Sequence, residues 1–240
     1  MGDINFISRE FEKINISIHK FNHINIVLIL IASIIASFGL LSNNVQVIIG
    51  SKIIGLALIP FISLCIIIIS LDSNKIIKSG LNCIVFILIC ILVGIFIGFC
   101  SLYKQYIIEP TTEMISHTNF KFKNVYLELL LSFIAGIGVY YAVIKTSILA
   151  LVGLILVVSI IPSICNSGLF YGMALHEYIA VKDIDNSNNK NINENNIENI
   201  KSHIKSHIKS HINLGNQSIF IFFVNIAGVF FGFLAMFLFN

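Results

Sequence analysis

Long apolar runs and short polar stretches alternate along the chain. Six runs stand out, at residues 24–41, 45–71, 81–102, 126–144, 147–174 and 218–239. A hydrocarbon core of roughly 30 Å takes about 20 apolar residues in a helix rising about 1.5 Å per residue, and each run reaches or approaches that length. Isoleucine fills many of them, and its β-branch disfavours helix in water. In lipid, however, backbone amides must pair within the segment or in a closed barrel, and barrel strands alternate polar and apolar over about ten residues. These runs do not alternate. The pattern therefore predicts an all-α, polytopic transmembrane bundle of about six spans.

The second and fifth runs are longer than a span requires, and each contains a proline: Pro60 and Pro162, preceded by Gly50 and Gly153. Proline lacks an N–H and clashes with the turn before it, so each helix is expected to kink or break there. The third and sixth runs each carry a GxxxG, Gly94 to Gly98 and Gly228 to Gly232, a spacing that lets helix backbones approach. The order of span, Gly-then-Pro span and GxxxG span thus occurs twice. Gly50 to Gly94 is 44 positions and Gly153 to Gly228 is 75, and the excess of 31 matches the polar stretch 183–214. The expected layout is a polar tail (1–23), a three-helix repeat (24–103), a loop (104–123), and a second repeat (124–240) interrupted by a disordered insertion at 183–214. An odd number of spans per repeat turns the second copy upside down. Re-entrant segments before the prolines would instead make the copies parallel.

Composition adds bounds. Hydrophobic residues are 57% and charged ones 11%, against roughly 25% charged in soluble domains, so a soluble enzyme is excluded and the lipid bilayer is the first partner. Fifteen Lys and Arg against twelve Asp and Glu lie mostly between the runs, leaving no face for nucleic acid. Charges near the span ends, with Arg9, Lys13, Lys20, Lys75, Lys78 and Lys145 on one side, favour a cytoplasmic N-terminus by a small margin. Cys65, Cys83, Cys90, Cys100 and Cys165 fall inside apolar runs without paired spacing and read as packing residues.

The stretch ASFGLLSNNVQVIIGSKIIGLALIPFIS, followed in order by Pro110-Thr-Thr-Glu, LLLSFIAGIGVYYAVIKTSILALVGLILVVSIIPSICNSG and FVNIAGVFF, resembles the bacterial and archaeal hydrophobic family catalogued as domain of unknown function 389. The likeness covers about 24–180 and 214–240. Lys52 stands where the family tends to have Met, Leu56 replaces a first proline, and Pro162-Ser163 replaces paired prolines. The resemblance implies a polytopic membrane protein and supplies no activity.

Lys52 is the one formal charge well inside a run. Burial there costs at least about 2.5 kcal/mol, and it lies close enough to the segment start for its stem to snorkel outward. Asn166 and Asn225 sit beside repeat landmarks, as interhelical glue or as lining of a polar path. Ser51, Ser63, Ser159 and Ser163 flank the same breaks. Together with Gly50, Pro60, Gly153 and Pro162 these form the candidate solute or ion path, while Gly94, Gly98, Gly228 and Gly232 are packing residues. His176-Glu177 lacks the second histidine of a zinc-protease motif, and no nucleophile–base spacing points to catalysis. No cofactor and no metal site are expected. In the insertion, three KSHI units place His203, His207 and His211 at every fourth residue, conceivable as ligands on one helix face but more simply a product of repeat expansion. The functional expectation is transport or sensing of a small solute or ion between two repeats. The alternative is a scaffold or subunit, including a homo-oligomer, joined through GxxxG faces.

Overall fold

In the computed structural model, residues 23–55, 58–70, 73–101, 109–118, 122–144, 148–187 and 194–239 are described. Among them every regular element is helical: α1 His23–Leu41, α2 Val45–Gly55, α3 Leu58–Ser70, α4 Ser73–Ser101, α5 Thr112–Ser116, α6 Phe122–Ile144, α7 Ile148–Val157, α8 Ile160–Ser187 and α9 Glu194–Phe239. Adjacent asparagines separate α1 from α2. Asn43 takes the left-handed conformation (φ 53°), which asparagine tolerates better than most side chains. Asn44 then accepts from the amides of Gln46 and Val47 with its Oδ1, satisfying donors that the first turn of α2 leaves free.

Helix directions follow from the contacts. A methyl group on Gly94 or Gly168 would fall 2.9 Å from the other residue's Cα, and Gly98 and Gly172 press in the same sense on Leu169 and on Ile95 with Phe99, so α4 and α8 run parallel. On the other side Ser132 meets Asn225, Gly136 meets Val229, and Gly232 meets Phe133 and Ile137, making α6 and α9 parallel. Asn166 with Ser218, and Tyr171 with Asn216, pair α8 and α9 antiparallel. Ser33 donates to Cys90, and the end of α1 meets Thr111 just beyond α4 through its Leu40 carbonyl, so α1 follows α4. Packing within the first half has counterparts in the second: α1 on α2 and α6 on α7, α1 on α4 and α6 on α9, α3 on α4 and α8 on α9. The halves meet through α4 on α8, α1 and α2 on α8, α3 on α9 and α2 on α7.

Among the described residues, four helical stretches are long and apolar enough to cross a membrane: His23–Leu41, Ile76–Ser101, Asn124–Ile144 and Lys201–Phe239. Large side chains such as Phe38, Leu92, Phe96, Ile134 and Phe231 stand exposed around the outside, a distribution suited to a lipid solvent. Phe61, Phe86, Phe222, Tyr140 and Phe233 fill the interior with edge-to-face pairs.

Two expectations change. The fifth run does break, but at Val158 and Ser159, with α8 starting at Ile160. Pro162 thus sits in the first turn, where its missing N–H would have had no intrahelical partner anyway. Pro60 likewise lies in the first turn of α3, and the residues between α2 and α3 lie outside the described ones. The described residues of the insertion are helical where a disordered loop was expected: α8 runs on through Ser187, and α9 begins at Glu194. The four-residue repeat is the reason. It is close enough to the 3.6-residue turn that Ile204, His207, Ile208 and His211 fall on the inner side while Lys205, Ser206, Lys209 and Ser210 stay exposed. The polar tract finds its partner in α8, which no composition argument on the tract alone reveals.

Candidate functional site

The break between α7 and α8 leaves the last carbonyls of α7 without intrahelical donors. Lys52, buried on α2, fills that gap: its Nζ donates to the Leu156 carbonyl at 3.2 Å and to Ser159 Oγ at 3.1 Å. A cation at a helix C-terminus also meets the negative end of the helix dipole. Lys52 therefore turns inward from α2 to the α7–α8 break and does not snorkel outward. The Ser159 carbonyl in turn accepts from Ser163 Oγ at 2.6 Å, continuing the polar line into α8.

Around this pair the chain gathers further polar groups. The Glu113 and Glu128 carboxylates act on the Lys52 charge, and Glu128 is also beside Asn225. Asn225, fully buried, accepts from Ser132 Oγ at 2.7 Å. Asn166 Nδ2 donates to the Met114 carbonyl at 2.8 Å and to Ser218 Oγ at 2.9 Å. The imidazole of His117, just after α5, is held down at about 4, first by burial and second by the Lys52 charge. Short helix α5 is fixed in place by Thr111, whose Oγ1 accepts from the Met114 amide and donates to the Leu40 carbonyl, and by Asn43, which accepts from Thr112 and from the Glu113 amide.

The other sequence candidates divide. Ser51 is buried but donates to Ile48 of its own helix. Ser63 and Pro60 are buried in α3, where the Pro60 carbonyl accepts from Cys83 Sγ at 3.3 Å. A methyl group added at Gly50 or Gly153 would meet nothing within 4 Å, so neither glycine is there for close packing. Gly94, Gly98, Gly228 and Gly232 all lie in helix–helix seams within the chain.

The sequence profile of the family described as domain of unknown function (DUF389) matches residues 52–231, three quarters of the chain. The chain belongs to this family. No curated protein and no solved structure matches it. The DUF389 match opens at Lys52, so the residue that closes the α7–α8 break stands at the first matched position, and it runs through α9 to include Asn225 and Gly228.

Several members of the polar cluster in this DUF389 chain were invisible to sequence reasoning. Glu113 and His117 fall in the stretch expected as the 104–123 loop, and Glu128 lies at the end of the fourth apolar run. The α5 segment brings the first two inward, and only Pro110-Thr-Thr, a turn with a helix-capping threonine, hinted that this stretch had structure of its own. A second GxxxG on the same seam, Gly168 to Gly172, went unread because it follows the break. Its Gly168 faces Gly94 directly, and its Gly172 meets Ile95 and Phe99 one turn further on.

Proposed function

We propose that this DUF389 protein moves or senses a small solute or ion at the junction of two inverted three-helix repeats, where α2 crosses the α7–α8 break. The observation that carries the reading is the Lys52 ammonium bonded to the freed Leu156 carbonyl and to Ser159. An ionisable group inside a membrane bundle, paired with backbone carbonyls at a helix break, is the arrangement by which broken-helix transporters make solute sites. Helix direction supports the inverted layout. If α1 and α4 both span and run parallel, the α2–α3 segment between them returns across the membrane, and the same holds for α7–α8 between α6 and α9. That makes six crossings, with α6 opposed to α1.

The scaffold alternative loses its main support, because the four GxxxG glycines face the chain's own helices and offer nothing outward. The Lys52 amine donates to Ser159 Oγ and to the Leu156 carbonyl and is committed there as an ammonium rather than as a base, and we read the protein as not an enzyme. The test is an unbiased flux screen of solutes and ions in proteoliposomes, comparing the intact chain with Pro60→Ala, Pro162→Ala and Lys52→Met. Flux of one species class that Lys52→Met abolishes is the expected result. Absence of flux and of ligand-induced stabilisation across the panel rejects the reading.

A further inference from the structure

The hairpin of α8 and α9 continues past the apolar stretch. Forty-six residues make α9 about 69 Å long at about 1.5 Å per residue, more than twice a hydrocarbon core of roughly 30 Å. His211 lies seven residues before Ser218, where the apolar run begins, or about 10 Å further out along the axis. Here Glu177 of α8 meets His207 and His211 of α9. The carboxylate and the two imidazoles place one donor atom each within 4.8 Å of one another, and the His211 Nδ1 to Glu177 Oε2 separation is 3.3 Å. Glu177 and His211 are essentially fully buried. Both carboxylate oxygens and His211 Nδ1 lack a hydrogen-bond partner. A buried carboxylate in that condition is strongly unfavourable unless a cation or donor meets it.

We propose that Glu177, His207 and His211 form a site for a zinc-class divalent cation that clips the extramembrane ends of α8 and α9 together. Two histidines four apart on one helix face and a carboxylate from a facing helix are a His₂Glu donor set, which leaves one position of a tetrahedral ion for water. Imidazole donors favour zinc and its neighbours over magnesium or calcium. Bond lengths of about 2.0–2.2 Å put tetrahedral donors about 3.4 Å apart, a spacing that His211 and Glu177 already have at 3.3 Å, so binding draws the third donor inward by about an ångström. His203 packs on His207 with ring centroids 4.7 Å apart and props the ligand. His176 turns the other way, against Phe99. The KSHI repeat thereby gains a physical role: its four-residue step delivers two imidazoles to the same side of α9, and the antiparallel register brings Glu177 opposite them. This site does not rest on the transport reading.

The test uses the full chain, purified in nanodiscs with a histidine-free tag and stripped with chelator. Cobalt(II) is the spectroscopic probe and zinc the competitor. One cobalt per chain is expected, with the intense visible absorption of four- or five-coordinate geometry, displaced by zinc and not by magnesium or calcium. Glu177→Gln and His211→Ala should each weaken binding by more than the roughly 100-fold that loss of an outer-shell partner brings, whereas His203→Ala keeps the stoichiometry. Glu177→Gln removes the buried carboxylate and keeps its shape, so the metal-free variant should melt no lower than metal-free wild type while losing the zinc-dependent rise in Tm. Should a variant fail to fold, histidine modification of the wild type decides: zinc must protect His207 and His211 but not His203. Absence of cobalt binding, binding undiminished by Glu177→Gln, or no zinc protection overturns the proposal, leaving a His211–Glu177 ion pair alone.

Discussion

The two glycine seams and the α2–α7 junction are built on opposite principles. Along α4–α8 and α6–α9 the backbones touch, with Gly94 on Gly168, Gly98 on Leu169 and Gly172 on Ile95 in the first and Gly136, Gly228 and Gly232 against Val229, Ser132 and Phe133 in the second. At the junction Gly50 and Gly153 have no neighbour within 4 Å of a would-be methyl, and a lysine closes the gap through hydrogen bonds. In lipid, helices are not driven together by the hydrophobic effect, so dispersion at close approach does that work and polar groups contribute modestly. The seams thus hold the bundle, and the junction is joined by polar groups, its glycines Gly50 and Gly153 standing half-exposed and exposed beside it.

The sharpest way to break this contrast is to fill a seam. A side chain at Gly98 or Gly232 would land on the carbonyl of Leu169 or Phe133, where only backbone movement makes room. Gly98→Leu and Gly232→Leu should exceed the ~1–3 kcal/mol typical of overpacking and abolish monodisperse protein in size-exclusion chromatography. Survival of either variant with an unchanged Tm would mean that the seams do not hold the fold.

Lys52→Met comes next, and it separates function from stability. Removing the amine strands the Leu156 carbonyl, a loss of about 1–3 kcal/mol, but it also removes the desolvation penalty of a buried cation, which is of similar or larger size. Net stability should shift by about 1 kcal/mol at most, while flux or ligand-induced stabilisation disappears. A large fall in Tm together with unaltered flux would make Lys52 a structural strut.

How far this division could be read in advance depended on where the informative residues lay. The helical class, the broken fifth run and the four outer GxxxG glycines are local patterns, visible because helix period and residue size are written along the chain. The direction of Lys52 was not: stem length allowed either outcome, and the carbonyl that decides it is freed by a break more than 100 residues away. The insertion misled for a related reason. Asn, Lys and Ser cannot make a core, yet a helix needs only one buried stripe, and Val181, Ile204 and His211 supply it between two partners. Glu177 in particular acquires meaning only through antiparallel register with the histidines.

A smaller effect tests the loose side of the comparison. Glycine inside a helix costs up to about 1 kcal/mol relative to alanine, and with nothing near the added methyl, Gly50→Ala and Gly153→Ala should leave stability unchanged or raise it by less than about 1 kcal/mol. The same change at Gly168, whose added methyl would crowd Gly94 at 2.9 Å and the Ile91 carbonyl at 2.5 Å, should lower Tm. If the junction glycines supply hinge freedom, the stabilised alanine variants should also slow flux; equal Tm losses at Gly50 and Gly168 would erase the distinction between seam and junction.

The finest probe is His117, because its proton reports on Lys52 without altering the packing of the seams. Its imidazole is depressed from an ordinary 6.5 to about 4, by burial first and by the Lys52 charge second, so it is neutral at pH 7 and cannot drive acid activation of flux between pH 5 and 7. Between about 4 and 6.5 the unfolded chain binds this proton and the folded one does not. The stability contribution is therefore full above 6.5 and is lost as the pH falls towards 4. Lys52→Met removes the smaller cause only, so the His117 titration followed by imidazole-labelled NMR should move up from about 4 without reaching 6.5. A wild-type titration already at 6.5 would place His117 in water, away from Lys52, and with it would go the inward-turned α5 and the polar junction that depends on it.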